Sequence, residues 1–139
     1  AEKTGINVRH IAGSNECSSD LAYSAALKLF SSGLVRPDEI DYVLFCTQTP
    51  DYPLPTSACV LQHRLGIPTT AGALDFNLGC SGFVYGLSLC RGLIESGQAR
   101  SILLLTAETY SKLLAPEDKA VRTIFGDGGA ATLVQVAQE

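Results

Sequence analysis

The chain has 139 residues, of which 46% are hydrophobic and only 17% charged, and its formal net charge is −4. That length suffices for one domain, taken as residues 1–139, with a core of its own, and the acidic balance argues against a nucleic-acid binder. Every apolar run falls short of the ~18 residues a membrane span needs, and the polar start from Ala1 to Gly5 does not read as a signal peptide.

Ile6 to Ala12 alternates loosely and reads as a short extended segment. Ser18, Ser19 and Asp20 supply N-cap chemistry for a helix to about Ser32. Its apolar stripes are Leu21, Ala25, Leu29 and Ala22, Ala26, Phe30, and Gly33 ends it. After a turn at Pro37 and Asp38, Tyr42 to Cys46 is continuously apolar, as in a strand buried on both faces. A proline-rich loop, TQTPDYPLPTS, leads to a helix from Thr56 or Ser57 to Leu65, closed by Gly66. Ala73 to Leu78 is the next strand, Ser81 to Ser96 the next helix, and Ser101 to Glu108 another apolar strand. Thr109 to Phe125 reads as a partly helical connection, and GDGG as a tight turn into a last strand from Ala130 to Ala137. Strands alternating with helices predict an α/β fold with a mainly parallel sheet.

Five cysteines, at 17, 46, 59, 80 and 90, contain no C-x-x-C pair, and an odd number suits a disulfide framework poorly. They read as mostly buried thiols in a reducing, cytoplasmic compartment. His10 and His63 are the only histidines and have no partners at ligand spacing, so no metal site is expected. The absence of methionine, even at position 1, leads us to expect a processed chain or a part of a longer one.

In DFNLGCSGFVYGL, Asp75 to Leu87, a cysteine stands where a strand hands over to a helix. Unpaired amides and the helix dipole favour an anion there, which is one route to a nucleophilic thiolate; the competing reading is a small packing cysteine. Gly79-Cys80-Ser81-Gly82 lacks the G-x-S-x-G spacing of a hydrolase elbow, and no histidine follows. Asp75 and Asn77 read as turn and ladder residues. The helix after Cys80 is apolar nearly all round, with Phe83, Val84 and Leu87 on one face and the small residues Gly82, Gly86 and Cys90 on the other. Such a helix calls for cover on both faces, and a single sheet supplies only one. FGDGGAATL precedes a strand, so it is neither a Walker loop nor a dinucleotide fingerprint.

Four blocks, KTGINVRHIA, TQTPDYPLPTSAC with LQHRLG, LDFNLGCSGFVYGL and RTIFGDGGAATLV, occur in family order along nearly the whole chain. They resemble the β-ketoacyl-[acyl carrier protein] synthase III family of the thiolase superfamily. The resemblance implies a thiolase-like half: a mixed, mostly parallel sheet with helices on both faces and the last strand antiparallel. It implies that the family's first strand lies upstream of KTGI, and that the second half of the fold, which covers the apolar helix, lies downstream.

The implied reaction acylates Cys80 from acyl-CoA and condenses that acyl group with malonyl-[acyl carrier protein], losing carbon dioxide. The coenzyme A thioester is a substrate, and no cofactor is implied. Cys80 is the implied nucleophile, with its backbone N–H in the oxyanion hole. Leu54 matches a residue that crosses a homodimer interface into the partner's acyl pocket, Phe83 matches a substrate-binding position, and Lys119 falls near a basic contact to coenzyme A. The strand 73–78 is the implied homodimer edge. The family's histidine and asparagine for decarboxylation are not in this chain, so the chain alone is expected not to condense. Partners are then acyl-CoA, acyl carrier protein and a second copy, with no nucleic acid and no membrane. Alternatives are an acyltransferase of the same fold that forms esters or amides, and a non-catalytic half-domain for assembly.

Overall fold

The computed structural model describes residues 4–137. Its elements in chain order are α1 (Ser18–Ser31), β1 (Tyr42–Cys46), α2 (Ser57–Arg64), β2 (Gly72–Phe76), α3 (Gly82–Glu95), β3 (Ser101–Glu108), α4 (Lys119–Arg122) and β4 (Gly128–Gln135). Short 3-10 turns occupy Pro37–Glu39 and Tyr110–Leu113.

The four strands form one sheet in the order β2-β1-β3-β4. β1 is parallel to both β2 and β3, and β4 runs antiparallel to β3. Because side chains alternate along a strand, the apolar runs feed two cores at once. Val43, Phe45, Leu103, Leu105 and Ala107 join Ala22 and Ala26 of α1 and Ala58 and Leu61 of α2. Leu44, Ile102 and Leu104 point the other way, where Cys90 of α3 and Ala99 meet them. The sheet is therefore mixed and mostly parallel, has helices on both faces and carries its last strand antiparallel, as expected.

α3 lies on its sheet through its small residues. Gly82, Gly86 and Cys90 are its buried positions, and a Cβ on Gly86 would sit 2.7 Å from Leu104 Cδ1, while one on Gly82 would collide with Cys46 Sγ. Only hydrogen at these positions lets helix and sheet approach so closely. The opposite face is bare: Phe83, Val84, Tyr85, Leu87 and Leu89 are all exposed, Val84 at 66%.

Several boundaries differ from the sequence reading. Residues 6–12 form no strand; they run beside 125–127, where Arg9 donates to the Phe125 carbonyl and the Asp127 amide donates to His10 O. α1 starts at Ser18 with Cys17 at the cap, and Asp20 accepts the Cys17 amide at 2.9 Å. β2 ends at Phe76, two residues before Leu78, where the Phe76 carbonyl takes the Thr47 amide and the chain turns toward α3. GDGG is not a separate tight turn, because its last two glycines already pair with Ala107 and Glu108 as the start of β4. Gly33 and Gly66 end their helices as read, and these two and Gly97, after α3, have positive φ.

Candidate active site

The parallel strands β1, β2 and β3 end on one side of the sheet, the side on which open α/β sheets bind ligands. Cys80 emerges there, between the end of β2 and the cap residue Ser81 of α3. A tight turn holds it, with the Gly82 amide on Gly79 O at 2.8 Å and the Tyr85 amide on Ser81 O at 3.1 Å. Cys80 is exposed and lines a cavity of about 410 Å³. The walls of that cavity are chiefly Leu78, Phe83, Ala107, Tyr110 and Phe125, with Gln48 and Glu108 among the polar contributions. The Tyr110 and Phe125 rings pack with centroids 4.8 Å apart, making a continuous apolar wall.

Three carboxylates brace this end of the sheet. Glu108, the last residue of β3, accepts the Gln48 amide at 2.6 Å and the Thr49 hydroxyl at 2.7 Å, fixing the loop that leaves β1. Asp75 of β2 accepts the Ser57 and Ala58 amides, both at 2.7 Å, and so caps α2 from another element. Asp127 joins three segments, taking the Ala12 amide at 2.8 Å, the Ser111 amide at 2.8 Å and the Ser111 hydroxyl at 2.5 Å. Burial works against the charged form of Asp127, but the bonds from Ser111 and Ala12 and the charge of Lys112 prevail and hold its carboxyl below the usual value.

The thiols are not mostly buried as expected: only Cys46 and Cys90 are, and their surroundings set them apart. Cys46 lies beneath the start of α3, donates to Leu78 O at 3.2 Å, and has its thiol pushed up by burial, with Glu108 adding to the rise. Cys90 is fully buried, and burial pushes its thiol up to about 11. Cys17 and Cys59 lie away from the cavity walls, so the exposed thiol of the cavity is Cys80.

The 3-oxoacyl-[acyl-carrier-protein (ACP)] synthase III family matches residues 74–139, a span that includes Cys80 and Asp127. A β-ketoacyl-[acyl-carrier-protein] synthase III of Xanthomonas oryzae pv. oryzae is 43% identical over 137 residues, covering 99% of this chain and 42% of the relative. A β-ketoacyl-[acyl-carrier-protein] synthase III 2 of Staphylococcus epidermidis is 44% identical over 138 residues, again 99% of this chain and 42% of the relative. A crystal structure of a 3-oxoacyl-(acyl-carrier-protein) synthase III superposes with a TM-score of 0.97 at 64% identity, covering 99% of this chain and 41% of that one. Along 99% of its length the chain is similar to part of β-ketoacyl-[acyl-carrier-protein] synthase III proteins. It spans about two fifths of the length of the curated relatives it matches.

Of the positions singled out from the synthase III resemblance, the fold brings two together: Cys80 and Phe83 share the cavity. Leu54 does not line it; it projects from the loop before α2 and is 82% exposed. Lys119 opens α4 and is exposed, also off the cavity wall. Neither His10 nor His63 reaches the cavity. Among the described residues no group of three His, Cys, Asp or Glu side chains is placed to hold a metal ion, and no helix is long and apolar enough to cross a membrane.

Sequence reasoning missed Gln48, Glu108, Asp75 as a remote helix cap, and Asp127 as a three-way clasp. The signal for Asp127 was the FGDGG block itself, whose glycines drew attention to turn chemistry and away from the aspartate between them.

Proposed function

We propose that this chain is the part of a β-ketoacyl-[acyl-carrier-protein] synthase III that bears the acyl-accepting nucleophile, Cys80. The observation that carries the reading is an exposed thiol at the entry to α3, on the wall of an apolar cavity of about 410 Å³.

In the first stage the Cys80 thiolate adds to the carbonyl carbon of an acyl-CoA thioester. The carbonyl oxygen takes up negative charge, which the backbone N–H of Cys80 faces as one donor of the oxyanion hole. The tetrahedral species collapses by breaking the bond to the coenzyme A sulfur, leaving an acyl-Cys80 thioester and free coenzyme A. In the second stage malonyl-[acyl carrier protein] loses carbon dioxide, the resulting carbanion attacks the acyl-Cys80 carbonyl, and the Cys80 thiolate leaves. The developing enolate needs neutral donors, which the family resemblance assigns to a histidine and an asparagine outside these 139 residues. Both histidines of the chain lie off the cavity, so the chain by itself is assigned the first stage and not the second.

Phe83 contacts the acyl chain in this reading, Lys119 reaches the coenzyme A moiety, and Leu54 extends into the acyl pocket of a second copy. Pairing of β2 edges would form that dimer, since β2 is an edge of the sheet among the described residues. No cofactor takes part, the partners are acyl-CoA and acyl carrier protein, and the compartment is the cytoplasm.

Incubation with acetyl-CoA followed by intact-mass measurement tests the assignment. The chain is expected to gain one acetyl group, and Cys80→Ala to gain none. Equal labelling of the two proteins would overturn it.

A further inference from the structure

Gln48 is the first residue beyond Thr47 on the loop leaving β1, and its backbone is held rather than free. Its amide donates to Glu108 Oε1 at 2.6 Å, and the residues on either side are tied as well: the Thr47 amide to Phe76 O at 3.2 Å and the Thr49 hydroxyl to Glu108 Oε2 at 2.7 Å. From that fixed base the side chain lies over Gly79, so that a Cβ on Gly79 would sit 2.7 Å from Gln48 Oε1 and 3.3 Å from its Cδ. Gly79 therefore leaves the space that the Gln48 amide group fills. The group lines the Cys80 cavity and makes no hydrogen bond within the protein among the described residues.

This places a carboxamide, with a donor and an acceptor to offer, one residue from the thiol, against walls that are otherwise largely Leu78, Phe83, Ala107, Tyr110 and Phe125. An acyl group joined to Cys80 Sγ shares the cavity with this amide and with the Tyr110–Phe125 wall. An alkyl segment there takes water from the amide and returns no hydrogen bond. A hydroxyl at the same place gives the amide a partner. Glu108 is less suited to that role, because its two oxygens already hold the loop.

We propose that Gln48 is a specificity-determining residue that favours acyl groups bearing a hydroxyl near the thioester over alkyl acyl groups of equal length. The proposal rests on Cys80 being the acylated residue. Sites that hydrogen-bond a substrate group discriminate against the analogue lacking it, and for one neutral amide at a partly open wall the expected factor is about five- to tenfold.

The test is competitive acylation of the 139-residue chain by 3-hydroxybutyryl-CoA and butyryl-CoA, which differ by one hydroxyl, with the two acyl-Cys80 products resolved by mass. Gln48→Met keeps side-chain length and removes the polar atoms; Gln48→Ala removes both. The wild type is expected to give the higher hydroxyacyl-to-butyryl ratio, and both variants to lower it about five- to tenfold. A ratio unchanged in Gln48→Met, or lowered only in Gln48→Ala, would overturn the proposal, the second because size alone would then be responsible. Absence of any label on Cys80 in the wild type would instead overturn the nucleophile assignment beneath it, and far-ultraviolet circular dichroism of each variant confirms that the compared proteins are folded.

Discussion

At the scale of single residues, the site depends on side chains that bond far along the chain. Asp75 caps α2 from a neighbouring strand, accepting two amides of its first turn. Asp75→Ala should therefore lower stability by about 0.5–2 kcal/mol, the usual range for loss of a helix cap, measured by chemical denaturation. Asp127 and Asp20 both have carboxyls held below their ordinary value. For Asp127 burial opposes the shift, and the bonds from Ser111 and Ala12 overcome it. For Asp20 the Cys17 amide is the largest cause, with Arg64, 2.9 Å away, adding to it. A carboxyl that binds its proton more weakly when folded stabilises the fold in full above its unfolded value of about 4, and that contribution is lost as pH falls through the lower folded value. Stability should thus drop on acidification below about pH 4, and Asp127→Asn should flatten that part of the curve; an unchanged slope would contradict the clasp. Asp20, whose Cys17 partner is three residues away, was legible as N-cap chemistry, whereas Asp75 and Asp127 could not be given their roles from sequence, because their partners lie 16 to 115 residues away. The place of Cys80 between a strand and a helix was legible because that cue is local, while its role as nucleophile is what the resemblance implies.

At the scale of elements, periodicity identified what packing then used. The apolar runs of β1 and β3 predicted burial on both faces, and Val43 and Leu44 do enter opposite cores. The small-residue stripe of α3 was equally legible, and it is the stripe that meets the sheet. Gly86→Val would drive a side chain into Leu104, with an expected loss of about 1–3 kcal/mol from overpacking, read from a denaturation midpoint. Ends of elements were less legible. β2 stops at Phe76, where the Thr47 amide makes the last ladder bond with β1, a pairing across 29 residues that no local pattern names. Residues 6–12, read as a short extended segment, pass along the 125–127 segment through individual bonds and lie outside the sheet. The exposed side of α3, with Val84 66% and Tyr85 58% accessible, is a contiguous apolar surface that water does not favour. The isolated chain should self-associate at micromolar concentration in sedimentation, and Val84→Glu should shift it toward monomer. A wild type that sediments as a monodisperse monomer would contradict this.

At the scale of the whole molecule, the sheet order and the parallel sense of β1, β2 and β3 bring three strand ends together, and the loops beyond them supply the cavity. The alternation of strands and helices predicted that sheet, and the family resemblance predicted its antiparallel last strand. The cavity wall was not legible, since Gln48, Tyr110 and Phe125 become neighbours only when β1, β3 and β4 are paired. With acyl-CoA and malonyl-[acyl carrier protein] together, the chain is expected to form acyl-Cys80 and no β-ketoacyl product. Peptide mapping by tandem mass spectrometry after exposure to acetyl-CoA reads the chemistry of Cys80 itself. A hydroxylamine-labile acetyl group is expected on Cys80 and none on Cys59, which is also exposed. Acetylation of Cys59 to the same extent, or an unmodified Cys80, would contradict it.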